Sequence, residues 1–368
     1  MKKKILSALL CGAMAASLLA GCSGAKDGGT EAGGTSSGGS GDGKALVGVA
    51  MPTKDLQRWN QDGANMKEQL EAAGYDVDLQ YASNEVATQV SQIENMISNG
   101  CDILVIASIE GDSLGTVLAQ AKEADIPVIA YDRLIMNSDA VSYYATFDNY
   151  MVGTKQGEYI VEALDLENAD GPFNIELVTG DPGDNNAKFF FGGAMDVLQP
   201  YIDEGKLVVQ SGQTEFDEVA TANWATETAQ ARFENILASN YADGTTLHAV
   251  LASNDSTALG VANALAANYT GDYPVLTGQD CDIANVKNML AGKQSMSIFK
   301  DTRTLASKVV EMVDAVLQGK EAPVNDTESY DNGTGIIPSY LCEPVFADAD
   351  NYKELLIDSG YYTEDQLQ

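Results

Sequence analysis

The sequence predicts an α/β protein of two doubly wound parallel-sheet lobes joined by a three-strand hinge, a clamshell. Three observations carry that expectation. After residue 44, short apolar runs alternate with amphipathic stretches. The alternation occurs as two separate series, and a last strand–helix pair follows with no lobe of its own. Strands alternating with helical stretches are the mark of βαβ units and parallel sheets.

The first series runs in order through a strand at Ala45–Met51, a helix at Asn60–Ala73, a strand at Val77–Tyr81 and a helix at Val86–Ser98. A strand at Ile103–Ile109, a helix at Ser113–Ala124 and a strand at Pro127–Tyr131 complete it. The second opens at Phe173–Val178 and continues with Lys188–Leu198, Leu207–Ser211, Thr226–Ala238, Ala249–Ser253, Ser256–Ala266, Val275–Thr277 and Ile283–Ala291. Ser295–Phe299 and the helix at Arg303–Leu317 form an isolated pair that needs a partner, so they are expected to return to the first lobe. The polar segments Tyr144–Asn149, Lys300 and Asn325–Gly335 are then the candidate crossings. These boundaries assign 45–146 plus 297–325 to lobe 1 and 147–296 plus 326–368 to lobe 2.

The opening residues read as an address. Lys2, Lys3 and Lys4 precede an apolar run from Ile5 to Leu19 that is short for a membrane span and fits an export signal over residues 1–21. It closes on Leu19-Ala20-Gly21-Cys22, similar to the lipobox at which a bacterial lipoprotein is acylated on cysteine, so Cys22 is the expected lipidated N-terminus. Residues 22–44 are rich in Gly and Ser and suit a flexible linker. An extracytoplasmic protein anchored to the membrane by lipid alone is expected.

The body of about 325 residues is long enough for two cores. The net charge is −33, which leaves no electrostatic footprint for nucleic acid and disfavours anionic lipid surfaces. Cys101, Cys281 and Cys342 are an odd number of thiols beyond the leader and imply no disulfide framework. The single histidine, His248, precedes an apolar strand and has no His or Cys partner at ligand spacing, so no metal is expected. There is no G-x-x-x-x-G-K-[ST] loop, and no cofactor is implied. Paired aspartates would serve a glycosidase, but here they stand among Asn, Arg and Lys donors, as binding requires. No catalytic residue is assigned.

Ligands of open α/β sheets lie beyond the carboxyl ends of the strands. Those loops carry Arg58 and Trp59, Asp132 and Arg133, Asp184 with Asn185 and Asn186, Asn254 with Asp255, and Asp280. Planar donors and acceptors suit a ring of hydroxyls, and an indole covers an apolar C–H face. Trp59 and Trp224 are the only tryptophans. Each position has a plainer role as well. Asp132-Arg133 could be a surface ion pair, Asn185-Asn186 a helix cap, Trp224 a lid on its own lobe, Asp280 the cap of the helix near Ile283, and Lys300 a solvated hinge charge.

Several longer segments carry a resemblance. Met51-Pro52-Thr53-Lys54, Gln92-Ile93-Glu94-Asn95-Met96, Ala130-Tyr131-Asp132-Arg133-Leu134-Ile135, Gly171-Pro172-Phe173-Asn174-Ile175-Glu176-Leu177, Asp184-Asn185-Asn186-Ala187 and Phe299-Lys300-Asp301-Thr302-Arg303 resemble the periplasmic sugar-binding proteins of the ribose-binding-like class. Within these type I substrate-binding proteins the chain is most similar to the multiple-monosaccharide-binding and D-xylose-binding proteins of ABC importers. The resemblance implies an aldose bound between closing lobes and delivered to an ABC permease and its ATPase by a monomer. It also implies ligand contacts from Arg58, Trp59, Asp132, Arg133, Asn185 or Asn186, Trp224, Asn254, Asp280 and Lys300. Lys188 matches the xylose type, whereas the multiple-sugar type has an aromatic residue there. Presentation of the closed form to a chemoreceptor or a sugar-responsive kinase uses the same fold.

Overall fold

The computed structural model describes residues 43–368. The export, tether and lipidation expectations for Cys22 and its neighbours lie outside the described residues. From Lys44 onward the chain is one compact unit. It begins β1 (Leu46–Met51), α1 (Gln57–Ala72), β2 (Asp76–Tyr81), α2 (Val86–Ser98), β3 (Ile103–Ile106), α3 (Gly115–Glu123), β4 (Val128–Tyr131), β5 (Val141–Phe147) and α4 (Asn149–Ala163). There follow β6 (Phe173–Val178), α5 (Asn185–Asp203), β7 (Leu207–Val209), the short α6 (Phe216–Val219), α7 (Thr226–Asn240), β8 (Ala249–Ala252), α8 (Asp255–Asn268), β9 (Val275–Leu276) and α9 (Ile283–Leu290). The chain closes with β10 (Met296–Phe299), α10 (Thr302–Leu317), β11 (Ser339–Cys342), β12 (Val345–Asp348), a π-helical turn at Lys353–Asp358 and α11 (Glu364–Leu367).

The first lobe is a six-stranded sheet in the order β11-β5-β4-β3-β1-β2, and all its pairings are parallel. Alternate residues sort to its two faces. Val47, Val49 and Met51 pack with Met66, Leu70, Val309 and Met312 of α1 and α10, whereas Leu104 and Ile106 pack with Ile93, Met96 and Leu118 of α2 and α3. The second lobe is the parallel sheet β7-β6-β8-β9. Phe233, Val261 and Leu265 cover one face, and Ile160, Ala194 and Leu198 the other. Strand order reverses at β1/β3 in the first sheet and at β6/β8 in the second, and a crevice opens at such switch points.

The helix pair α4·α5 crosses at contact distance because glycines face each other. A Cβ on Gly153 would lie 1.9 Å from the Phe190 carbonyl oxygen, and one on Gly193 would lie 2.1 Å from that of Tyr150. Those glycines lower the helical signal of the segment, and α4 is absent from the sequence expectations for that reason. β5 is also unforeseen as a strand, since its Ser142, Tyr143, Tyr144 and Thr146 are not an apolar run.

Two lobe assignments need correction. β10 does not belong to lobe 1: it pairs antiparallel with β12 and continues the second sheet through the Gln279–Ile298 bridge. Only α10 returns to lobe 1. Conversely, residues 326–342 do not belong to lobe 2, because β11 pairs with β5. The segment 325–335 is no crossing either. Asn332 Nδ2 donates to the carbonyls of Ile135 and Ser138, and Tyr330 meets Tyr144 edge-on, so the loop is held on lobe 1. The chain passes between lobes at Phe147–Asn149, at Phe299–Thr302 and at Cys342–Val345.

Candidate ligand-binding cleft

The carboxyl ends of the two sheets face one another across a cavity of about 440 Å³, counting the open space at its mouth. The first lobe lends Arg58, Trp59, Asp132 and Arg133. The second lends Asp184, Asn186, Phe190, Trp224, Asn254, Ser256, Gln279, Asp280 and Asp282, and Lys300 comes from a crossing.

α1 starts where β1 ends, and its first turn aims Arg58 across the floor. The guanidinium lies 2.9 Å from Asp62, 2.6 Å from Asp132 and 3.1 Å from Asp280, the last across the lobes. Lys300 Nζ lies 3.2 Å from Asp280 and 4.0 Å from Asp132. Burial pushes the Asp132 carboxyl up, but Arg58, Lys300 and Arg133 together outweigh it and hold the group below the ordinary range. Asp62 lies one layer deeper, where burial prevails over Arg58 and raises it to about 6, and the Tyr131 hydroxyl donates to it. Burial pulls the Arg58 guanidinium down, yet its three aspartates keep it well above its usual value. A cation held by three carboxylates has little freedom to turn, which preorganises the floor.

Asp132 takes a left-handed backbone conformation, φ +57°, which turns its carbonyl into the cleft wall. That oxygen accepts from Tyr144 Oη at 2.6 Å, Thr146 Oγ1 at 2.9 Å and Asn186 Nδ2 at 2.6 Å. Arg133 donates to the carbonyls of Ser108 and Ile109, 3.1 Å each, and its guanidinium carbon is 5.0 Å from the centre of the Trp59 ring. Trp224 follows a kinked 3-10 turn and donates Nε1–H to Asp184 at 3.2 Å. Its ring fills the space that a side chain at Gly180 would take. The cavity thus has charged, hydrogen-bonding ends and two indole walls.

Of the ten residues singled out from sequence, nine line this cavity. Asn185 does not: it is the first residue of α5, outside the cavity lining, and Asn186 takes the inward position. The helix cap is neither asparagine but Asp184, whose carboxylate accepts from the Asn186 amide at 3.0 Å. Asn254 has both roles, capping α8 through Thr257 N at 3.0 Å while it faces the cavity. Asp280 caps nothing, since the residue before α9 is Asp282. Lys188 is exposed. His248 accepts from the Asn174 amide at 2.9 Å and stacks edge-on with Phe173, a structural position. Gln279, Asp282, Ser256 and Phe190 were missed. The first two follow the same strand end as Asp280, and that was the available signal.

Three buried polar atoms of cavity-lining residues have no hydrogen-bond partner among the described residues: Arg133 Nε, Gln279 Oε1 and Asp282 Oδ1. Arg133 Nε is 2.9 Å from Asp184, but without alignment for a bond. Unpaired buried groups are costly and seldom kept without a purpose. The cleft therefore suits a small, uncharged or weakly charged molecule rich in both donors and acceptors.

Residues 47–321 match the family model described as periplasmic binding protein domain. The multiple sugar-binding periplasmic protein of Azospirillum brasilense is 52% identical over 88% of this chain and 92% of its own length. The D-xylose-binding periplasmic protein of Escherichia coli is 36% identical over 87% and 92%. Among solved structures, an ABC transporter solute binding protein from Clostridium phytofermentans with bound β-D-glucose is 80% identical. It covers 88% of this chain and all of its own, with a TM-score of 0.87.

Proposed function

We propose, from the premise that the chain belongs to the periplasmic binding protein family, that it captures an aldose monosaccharide between its lobes and releases it to a membrane transporter. The cleft carries this reading: hydrogen-bonding side chains from both lobes converge with two tryptophans on one cavity. The relative with bound β-D-glucose and the multiple sugar-binding and D-xylose-binding relatives supply the ligand class.

In this proposal Asp132, Arg133, Asn186 and Asn254 grip ring hydroxyls, Asp280 and Arg58 close the polar end, and Trp59 and Trp224 pack on the C–H faces. Lys300, at a crossing, senses closure through Asp280. The aldose is of glucose, galactose, xylose or arabinose type. An ABC permease with its ATPase receives it, and the protein acts as a monomer tethered through a lipid on Cys22. Binding alone is the task; Asp132, Asp184 and Asp280 are held by cations, which suits hydrogen bonding to a ligand better than proton transfer.

The test is a titration of the purified full chain with glucose, galactose, xylose, arabinose and ribose, followed by thermal unfolding and tryptophan fluorescence. A ligand at about a thousand times its Kd stabilises the native state by about 4 kcal/mol. Asp132→Ala and Trp224→Ala are each expected to weaken binding by about 1–3 kcal/mol, roughly ten- to a hundredfold. No response to any monosaccharide would sink the ligand assignment.

A further inference from the structure

Asp282 is the residue of the cleft whose geometry the capture of a neutral sugar leaves unexplained. It stands at the N-cap position of α9, where an aspartate ordinarily bonds the first free amides of the helix. Here the carboxylate makes no such bond, and the Asn285 amide goes to the Asp282 backbone carbonyl instead, at 2.9 Å. The residue lines the cavity and is half-buried, and its Oδ1 is shut off from solvent with no partner among the described residues. The other cavity-lining carboxylates, Asp132, Asp184 and Asp280, each have a cation within 3.2 Å. Among the described residues, Asp282 has none within 4 Å. Arg58, Arg133 and Lys300 are already engaged by those partners.

We propose that Asp282 is a specificity-determining ligand contact that supplies the counter-charge for an ammonium group, so that the cleft takes amino sugars as well as neutral aldoses. The inference rests on the sugar-capture reading. A hydroxyl can fill the hydrogen bond of Oδ1 but leaves the carboxylate's charge without a counter-ion, whereas an ammonium supplies both. The groups around the carboxyl agree. Burial and then Asp280 of the same loop raise it to about 7 against the pull of Arg58 from α1. Asp255 of α8, which accepts from the Asp282 amide at 2.8 Å, and Tyr362 of the C-terminal segment are its other titratable neighbours. The acid is therefore half protonated near neutrality, and a cationic ligand ionises it.

The test is calorimetry of the full chain at pH 6 with D-glucose and with D-glucosamine, in two buffers of different ionisation enthalpy, for the native protein and Asp282→Asn. The native protein is expected to bind glucosamine with release of close to one proton and glucose with almost none. Asp282→Asn should lower glucosamine affinity about tenfold or more beyond any loss of glucose affinity, and abolish the release. Glucose binding by the variant reports that its cleft is intact. Glucose binding without glucosamine binding in the native protein, or equal losses for both sugars in the variant, overturns the proposal and leaves the sugar reading standing. Failure to bind either class removes both.

Discussion

Arg58→Met tests the electrostatic floor of the cleft, because an unbranched apolar stem remains while the charge and its three hydrogen bonds are lost. The change strands Asp62 and leaves Asp132 with Lys300 at 4.0 Å, while Asp280 keeps Lys300 at 3.2 Å. Removing one member of a buried ion pair typically costs about 3–5 kcal/mol. The cost must depend on pH. Asp62 already sits near 6 against an ordinary 3.8, so its contribution to stability is full below about 3.8 and lost as pH rises through about 6. That displacement alone is worth about 3 kcal/mol at neutral pH. Without Arg58 the folded value climbs further and the loss at high pH deepens. Asp132, held low in the native protein, contributes stability above its unfolded range that fades on acidification, and the variant forfeits this too. Both effects make the gap between native protein and variant largest at high pH. Guanidinium unfolding followed by tryptophan fluorescence should give a gap of about 3–5 kcal/mol at pH 8 and less than about half of that at pH 5. Adding Asp62→Asn to Arg58→Met should restore about 1 kcal/mol or more at pH 8. A gap independent of pH, or one under about 1 kcal/mol at pH 8, would refute the reasoning.

Gly153→Ala should destabilise by about 1–3 kcal/mol or more, because the new Cβ meets backbone of α5 at 1.9 Å. Gly192→Ala on the neighbouring face, with its nearest atom 4.0 Å away, should be neutral or gain up to about 1 kcal/mol; thermal unfolding of the two variants decides whether close helix approach or mere glycine content matters. Gly180→Ala places a methyl 1.9 Å from the Trp224 ring and should swing it off the cavity wall. The expected result is a loss of sugar affinity of about tenfold with the unfolding midpoint little changed, and unaltered affinity would remove Trp224 from the ligand wall.

The two sheets were legible because their central strands are buried on both faces and read as unbroken apolar runs, as in Ile103–Ile106 and Ala249–Ala252. α4 was not, because Gly153 and Gly157 serve a partner helix that local propensity cannot see. The third crossing was misplaced for a similar reason. Polarity marks exposed chain, and the 325–335 loop is polar yet bonded to lobe 1 by Asn332, while the true crossing is only a few residues after Cys342. In the cleft, residues directly after strands were legible from topology. Asn185 against Asn186 was not, since adjacent helix positions differ by about 100° and only the helix start decides which points inward. Asp282 was hidden by its ordinary appearance as a helix cap.

Several bonds cross the cleft directly. Arg58 reaches Asp280 at 3.1 Å, Asn186 reaches the Asp132 carbonyl at 2.6 Å, and the Gly111 amide reaches the Gly183 carbonyl at 3.1 Å. Each joins protein to protein and would break as the lobes part, so it favours the closed arrangement whatever the ligand contributes. A ligand must favour one state about 10⁴-fold to carry an equilibrium from 1:99 to 99:1, and each pre-existing cross-cleft bond shortens that distance. The gain is tighter apparent binding; the cost is background. A downstream protein that recognises closure would receive some fraction of unloaded copies, and the cross-cleft bonds set that noise floor. Trimming the Asn186 contact should therefore weaken binding and quiet the unloaded state together.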